Sequence, residues 1–168
     1  MNIWVDADSF PRRLRTIVCK AALRTRTTAC FISDRKLQDI RGDYVRNILV
    51  PHGSGAADDE LVVRAGPGDL AITRDVPLAA RLVEKGALVL DDRGGLFTPD
   101  NIRERLSMRD LMEGFRLAGI QAESTGSPGE REIRAFAGTL DRELTRLLNE
   151  ENDRLRDMDL KGDGERGA

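Results

Sequence analysis

The chain contains one histidine, two cysteines and only 4% aromatic residues. His52 has no serine, cysteine or second histidine in an evident partnership, so triad chemistry and histidine-rich zinc sites find little support. Cys19 and Cys30 form no C-x-x-C pair, and each lies inside an apolar segment. With no disulfide framework, and with a start, M-N-I-W-V-D, that does not read as a secretion signal, both are expected as reduced core thiols of a cytoplasmic protein. No apolar run approaches the roughly 18 residues that a membrane span needs, so no membrane partner is expected. Scarce aromatics leave Leu, Ile, Val and Ala to build the core.

Strong net charge is missing as well. At -2 overall, the chain lacks the basic footprint of a protein that lives on nucleic acid. The total conceals an asymmetry, because residues 1–50 carry ten Lys/Arg against five Asp/Glu. Those arginines read either as solvated helix and loop faces or as anion contacts.

The 168 residues suit one domain with a real core. Ile3-Trp4-Val5 is a short apolar run of the kind found in a central strand, and it stops at Asp6. From Phe10 the period changes: Pro11 suits a first helical turn, Asp8 or Ser9 can cap it, and Leu14, Ile17, Val18 and Ala21 recur at helical spacing. Thr28–Ser33 and Asn47–Val50 read as strands, followed by the loop Pro51 and H-G-S-G. Ala57–Ala65 is a helix, Asp69–Thr73 a strand, Pro77–Lys85 a helix stopped by Gly86, and Ala87–Leu90 a strand. This alternation predicts an α/β fold with three layers: a mainly parallel central sheet flanked by helices.

The remainder is helical. Thr98-Pro99 and Ser107-x-x-Asp110 predict two short helices, the second ending at Gly119. Beyond Ser127-Pro128-Gly129-Glu130, the residues Ile133, Phe136, Ala137, Leu140, Leu144, Leu147 and Leu148 form one apolar stripe. The organisation expected is an α/β domain over 1–122, a C-terminal amphipathic helix over 127–158 and a disordered tail over 159–168. The helix either packs on its own domain or makes a homo-oligomer.

In an open parallel sheet, ligands bind outside the carboxyl ends of the strands, where strand order reverses. Asp6 ends the first strand and Asp8 lies just beyond; Asp75 lies two residues past the strand ending at Thr73; Asp91 and Asp92 follow Leu90; Asp58, Asp59 and Glu60 open a helix. Gathered carboxylates repel and resist burial, and a divalent cation is the natural compensation. Magnesium or manganese could polarise a phosphoryl oxygen or activate water there. The alternative for each residue is local: Asp8, Ser9, Asp58 and Asp100 as caps, and D-D-R-G as a turn with an ion pair.

D-A-D-S-F-P, A-A-D-D-E-L-V, G-D-L-A-I-T-R-D-V-P-L-A-A-R-L-V-E-K-G-A, D-D-R-G and I-R-E-R-L-S-M-R-D-L-M, in unbroken order over residues 1 to 140, resemble the YaiI/YqxD family of small bacterial proteins. That family is similar to the PIN-like nucleases, whose T-x-D-x-x-L/F signature T-R-D-V-P-L-A resembles. The resemblance implies a PIN-like α/β fold whose acidic residues bind Mg2+ or Mn2+ for phosphodiester hydrolysis. It carries the metal set onto Asp6, Asp8, Asp58 and Asp75, with Asp59 an alternative to Asp58 and Asp92 a possible further acid. Relatives usually read D-A-D-A-C-P where this chain has Ser9 and Phe10, which removes any mechanism that needs a cysteine at position 10.

The function expected is therefore a metal-dependent ribonuclease or related phosphodiesterase. Asp6, Asp75 and Thr73 would be catalytic, Ser9, Arg12, Arg13 and Arg74 would contact phosphate, and RNA would be the partner. Two rivals remain: a module that binds RNA, a nucleotide or protein without catalysis, and a haloacid-dehalogenase-like phosphatase. The phosphatase would use D-x-D as nucleophile and acid, with Thr73, Lys85 and Asp91-Asp92 as its later motifs.

Overall fold

A computed structural model describes residues 1–8, 10–53, 55–120 and 126–164. Six strands form one sheet: β1 (Ile3–Asp6), β2 (Ala29–Ser33), β3 (Val45–Leu49), β4 (Leu70–Ile72), β5 (Leu88–Leu90) and β6 (Leu96–Phe97). Their order is β3-β2-β1-β4-β5-β6. The first five run parallel, and β6 alone is antiparallel, on β5. Central β1 sets Val5 between Phe31 and Ile72, and all three are fully buried. An uninterrupted apolar run suits such a strand because helices cover both faces.

On one face lie α1 (Arg12–Thr25) and α5 (Glu130–Gly164). They pack side by side in the same direction, with Arg13 paired to Glu130 at their starts and Arg24 to Asp141 further along. The α5 stripe buries Phe136, Leu140, Leu144 and Leu147 against Val5, Leu14, Val18 and Phe31. Each such side chain contributes about 1.5–3 kcal/mol when taken fully out of water. Phe10 reaches this layer, its ring centroid 5.9 Å from that of Phe136. The turn after β5 presses on α5 so closely that a Cβ on Gly94, at φ 91°, would meet the Ala135 carbonyl carbon at 2.6 Å. Only glycine fits there.

The opposite face carries α2 (Ala56–Arg64), α3 (Val76–Glu84) and α4 (Ile102–Leu117). Leu61, Leu78, Leu82 and Ile102 pack there on Trp4, Ala71, Val89 and Phe97. The fold is thus a three-layer α/β sandwich with a C-terminal helix. Among the described residues no helix is long and apolar enough to cross a membrane.

Several elements differ from expectation. The two short helices after Thr98 are one continuous α4, in which the Ser107 hydroxyl donates to the Arg103 carbonyl instead of capping a new helix. A serine can satisfy itself on the preceding turn, so S-x-x-D inside a helix is a false start. The antiparallel β6 was not expected, being only two residues long and following directly on a turn. β3 begins two residues earlier than expected, and α5 continues to Gly164, past residue 158; residues 165–168 of the expected tail lie outside the described residues. The N-cap of α1 is Pro11, which corrects the expectation of Asp8 there; Ser9, the other expected cap, lies outside the described residues.

Candidate functional site

Strand order reverses between β1 and β4, since the chain proceeds from β1 outward to β3 and then returns to the other side of β1. At the carboxyl ends of these two neighbours stand Asp6 and Thr73. The Thr73 hydroxyl, almost fully buried, donates to Asp6 Oδ2 at 2.9 Å and accepts the Asp75 N–H at 3.0 Å. Asp75 then caps α3, its Oδ1 accepting the Leu78 N–H at 2.8 Å. Proline at the second helical position leaves this cap few competing donors.

Burial raises the Asp6 carboxyl to about 6, against the pull of the Thr73 hydrogen bond, and the charges of Asp58, Asp8 and Asp75 add to the rise. Asp58 is raised by burial and then by Asp75, Asp59 and Asp8, with Arg81 opposing. Three segments distant in sequence thus place four carboxylates within one another's field. Asp59 turns away to Arg81 on α3, at 2.7 Å, and both side chains are well exposed. Adjacent helix positions diverge by about 100°, so α2 can aim only one of the two acids at the sheet edge.

Asp8 is held by its surroundings. Its Oδ1 accepts the Asp34 N–H at 3.1 Å, and its carbonyl accepts Arg35 Nη2 at 3.2 Å. Between the two aspartates, the Ala7 carbonyl accepts Nη2 of the buried Arg15 at 3.2 Å, while Arg15 Nη1 donates to Asp39 at 2.9 Å. Sequence reading overlooked Arg15 among the neighbouring arginines. Its signal was available: position 15 falls three before Val18 and seven before Ala22, on the buried stripe of α1. Arg109 of α4 was also missed; its hydrogen bond to Asp110 and the charge of Glu113 raise its already high value, and the charge of Asp75 adds to the rise.

The other expected residues sit as follows. Asp91 organises the turn, its Oδ1 accepting the N–H groups of Arg93 at 2.8 Å and Gly95 at 2.7 Å. Asp92 is buried, its carboxyl raised by burial, with Arg74 Nη1 3.9 Å away and Oδ2 without a hydrogen bond. Arg12 lies 3.6 Å from Asp39, and Arg13 lies 2.6 Å from Glu130. The three arginines among the candidate phosphate contacts therefore each have an acidic neighbour. Ser9 lies outside the described residues. Lys85 sits at the far end of α3, donating to the Val62 carbonyl, so it does not join Asp6 as the phosphatase pattern requires.

All donors at this edge are hard oxygens, the type that Mg2+ and Mn2+ take. Among the described residues no group of three or more His, Cys, Asp or Glu side chains is spaced to hold a metal ion.

Fold and site together define a three-layer α/β protein with an acidic edge at the switch point of its sheet. The chain belongs to the YaiI/YqxD family: the family described as "Uncharacterized BCR, YaiI/YqxD family" matches residues 4–146. It is 43% identical over 151 residues to a UPF0178 protein of Myxococcus xanthus, covering 90% of this chain and 99% of that one. A UPF0178 protein of Bordetella petrii is 46% identical over 142 residues, 84% of this chain and 95% of the relative. One of Pectobacterium carotovorum is 41% identical over 144 residues, 86% and 96% of the two chains. No solved structure matches the chain significantly.

Proposed function

We propose that this protein is a cytoplasmic, metal-dependent phosphodiesterase acting on RNA, with its reaction centre at the carboxyl ends of β1 and β4. The observation that carries this reading is the raised Asp6 carboxyl, surrounded by the charges of Asp58, Asp8 and Asp75 where strand order reverses. An arrangement that costs stability when ionised gains most from a bound cation. The resemblance of T-R-D-V-P-L-A to the PIN-like signature supports the same chemistry.

The residues fit Mg2+ or Mn2+ in donor type and charge. Such ions are usually held by one or two carboxylates, with water and substrate phosphate completing the shell, so a closed cage of three protein ligands is not required. Asp6 and Asp58 would hold the ion, with Asp75 and Asp8 supplying field and outer hydrogen bonds. When bound, the ion would lower the pKa of a water and polarise the phosphoryl oxygen. Thr73 holds Asp6 Oδ2 by its hydroxyl, which leaves Oδ1 for the ligand. Asp75, tied down by its cap bond, keeps the start of α3 fixed beside the site. Arg74 would meet phosphate by exchanging its present acidic neighbour, Asp92.

Cleavage of a single-stranded RNA oligonucleotide with Mn2+, compared between wild type and Asp6→Asn, tests this. A loss of at least about a hundredfold is expected, as for removal of a principal charge at a reacting centre. Equal activity in the two proteins would overturn the reading. Binding without cleavage, unchanged by the substitution, would instead support the binding module.

A further inference from the structure

α4 leaves the domain about a third of the way along its length. Ile102 is buried and Leu106 packs on the core, but none of the residues from Ser107 to Ile120 is buried. Isolated helices this short are marginal in water, so a projecting arm needs a partner to hold it. Its outer face carries Met108, Leu111, Met112 and Phe115, between 39% and 54% exposed, at spacings of three, one and three residues. That is one continuous stripe along a helix. Small residues, Ser107 and Gly114, border it, and a Cβ on Gly114 would meet nothing.

The occupant can be read from charge and spacing. Arg109 is engaged by Asp110 and Glu113 on the arm itself and Arg116 shares Glu113 with it, so the stripe is unsuited to phosphate while Arg116 keeps donors for one further carboxylate. The stripe is symmetric about the point between Leu111 and Met112. In an antiparallel pair about that point, Met108 meets Phe115 and Leu111 meets Met112 of the other copy. Glu104, at the start of each stripe, then falls within one turn of Arg116 of the other copy, giving opposite charges at both ends. A parallel pair would set Glu104 against itself. We infer that the α4 arm is a self-association surface, on which a second copy of this chain docks antiparallel through Met108, Leu111, Met112 and Phe115.

The exposed stripe, from Met108 to Phe115, is about 12 Å long. Two copies would bury on the order of 1,000 Å², the lower limit for a specific interface, so the dimer is weak and concentration-dependent. This differs from pairing through α5, whose stripe is covered by its own domain.

Sedimentation of the full chain, from low micromolar to several hundred micromolar, tests the inference. Wild type is expected to shift from monomer to dimer, and Leu111→Glu and Met112→Lys each to weaken association at least about tenfold, as for loss of a central interface anchor. An equimolar mixture of the two variants should regain dimer, because Glu at 111 of one copy faces Lys at 112 of the other. Circular dichroism should show both variants folded, since both sites are exposed. A monomer at every concentration would overturn the inference. So would a dimer indifferent to both substitutions, a mixture that fails to recover, or a monomer whose stripe binds RNA or another protein.

Discussion

The hydroxyl of Thr73 donates to Asp6 Oδ2 at 2.9 Å, joining the ends of two neighbouring strands whose residues lie 67 apart in the chain. Thr73→Val keeps the shape and removes both the donor and the acceptor for the Asp75 N–H. A loss of about 1–2 kcal/mol is expected, because buried groups are left unpaired. The hydrogen bond lowers the Asp6 value, so the carboxyl should titrate above 6 in the variant. Denaturant unfolding and carboxyl NMR titration measure the two effects.

Asp6 binds its proton more tightly folded than unfolded. Stability is therefore fully present below the ordinary carboxylate value, 3.8, and is lost as pH rises through about 6. The ionised carboxylate costs roughly 3 kcal/mol at neutral pH. Asp6→Asn should match wild type near the low end and exceed it by several degrees in thermal midpoint above the upper end. Millimolar Mn2+ should raise the midpoint of wild type and leave the variant unmoved. A variant less stable at neutral pH would contradict the burial account.

Asp58 and Asp59 are neighbours with different surroundings. Asp58→Asn should reduce stabilisation by Mn2+ and lower the Asp6 titration point, since the Asp58 charge raises it. Asp59→Asn removes an exposed pair with Arg81 and should change stability by less than about 0.5 kcal/mol. Thermal shift with and without Mn2+ separates them; equal responses would argue against the orientation of α2.

Arg15 is the buried cation behind the D-A-D turn. Arg15→Met leaves the Ala7 carbonyl without its donor and Asp39 with only Arg12, 3.6 Å away, and should cost about 3 kcal/mol. Adding Asp39→Leu should return part of that loss, which urea unfolding of the two variants would show.

Much of the α/β order was legible because its signals are local. Apolar runs ending in Asp6 and Thr73 mark strands, and the periods of Leu14-Val18-Ala21 and Phe136-Leu140-Leu144 mark helices. The continuous α4 was not legible, because Ser107-x-x-Asp110 has the composition of a start, and only the unbroken backbone makes Ser107 a mid-helix residue. The cap of α3 by Asp75 was missed for a similar reason: an aspartate after a strand satisfies the pattern of a ligand and of a cap equally.

By itself, the sequence determined which residues could stand at the sheet edge, since a charged residue ending a buried strand must emerge at its end. Strand order was decided in three dimensions, and with it the meeting of Asp6 with Thr73 across β1 and β4. The choice between Asp58 and Asp59 also belongs to the tertiary structure: α2 packs on α3, Arg81 takes Asp59, and Asp58 is left among the carboxylates. Periodicity names the face of a helix. Only packing against another element decides what that face meets.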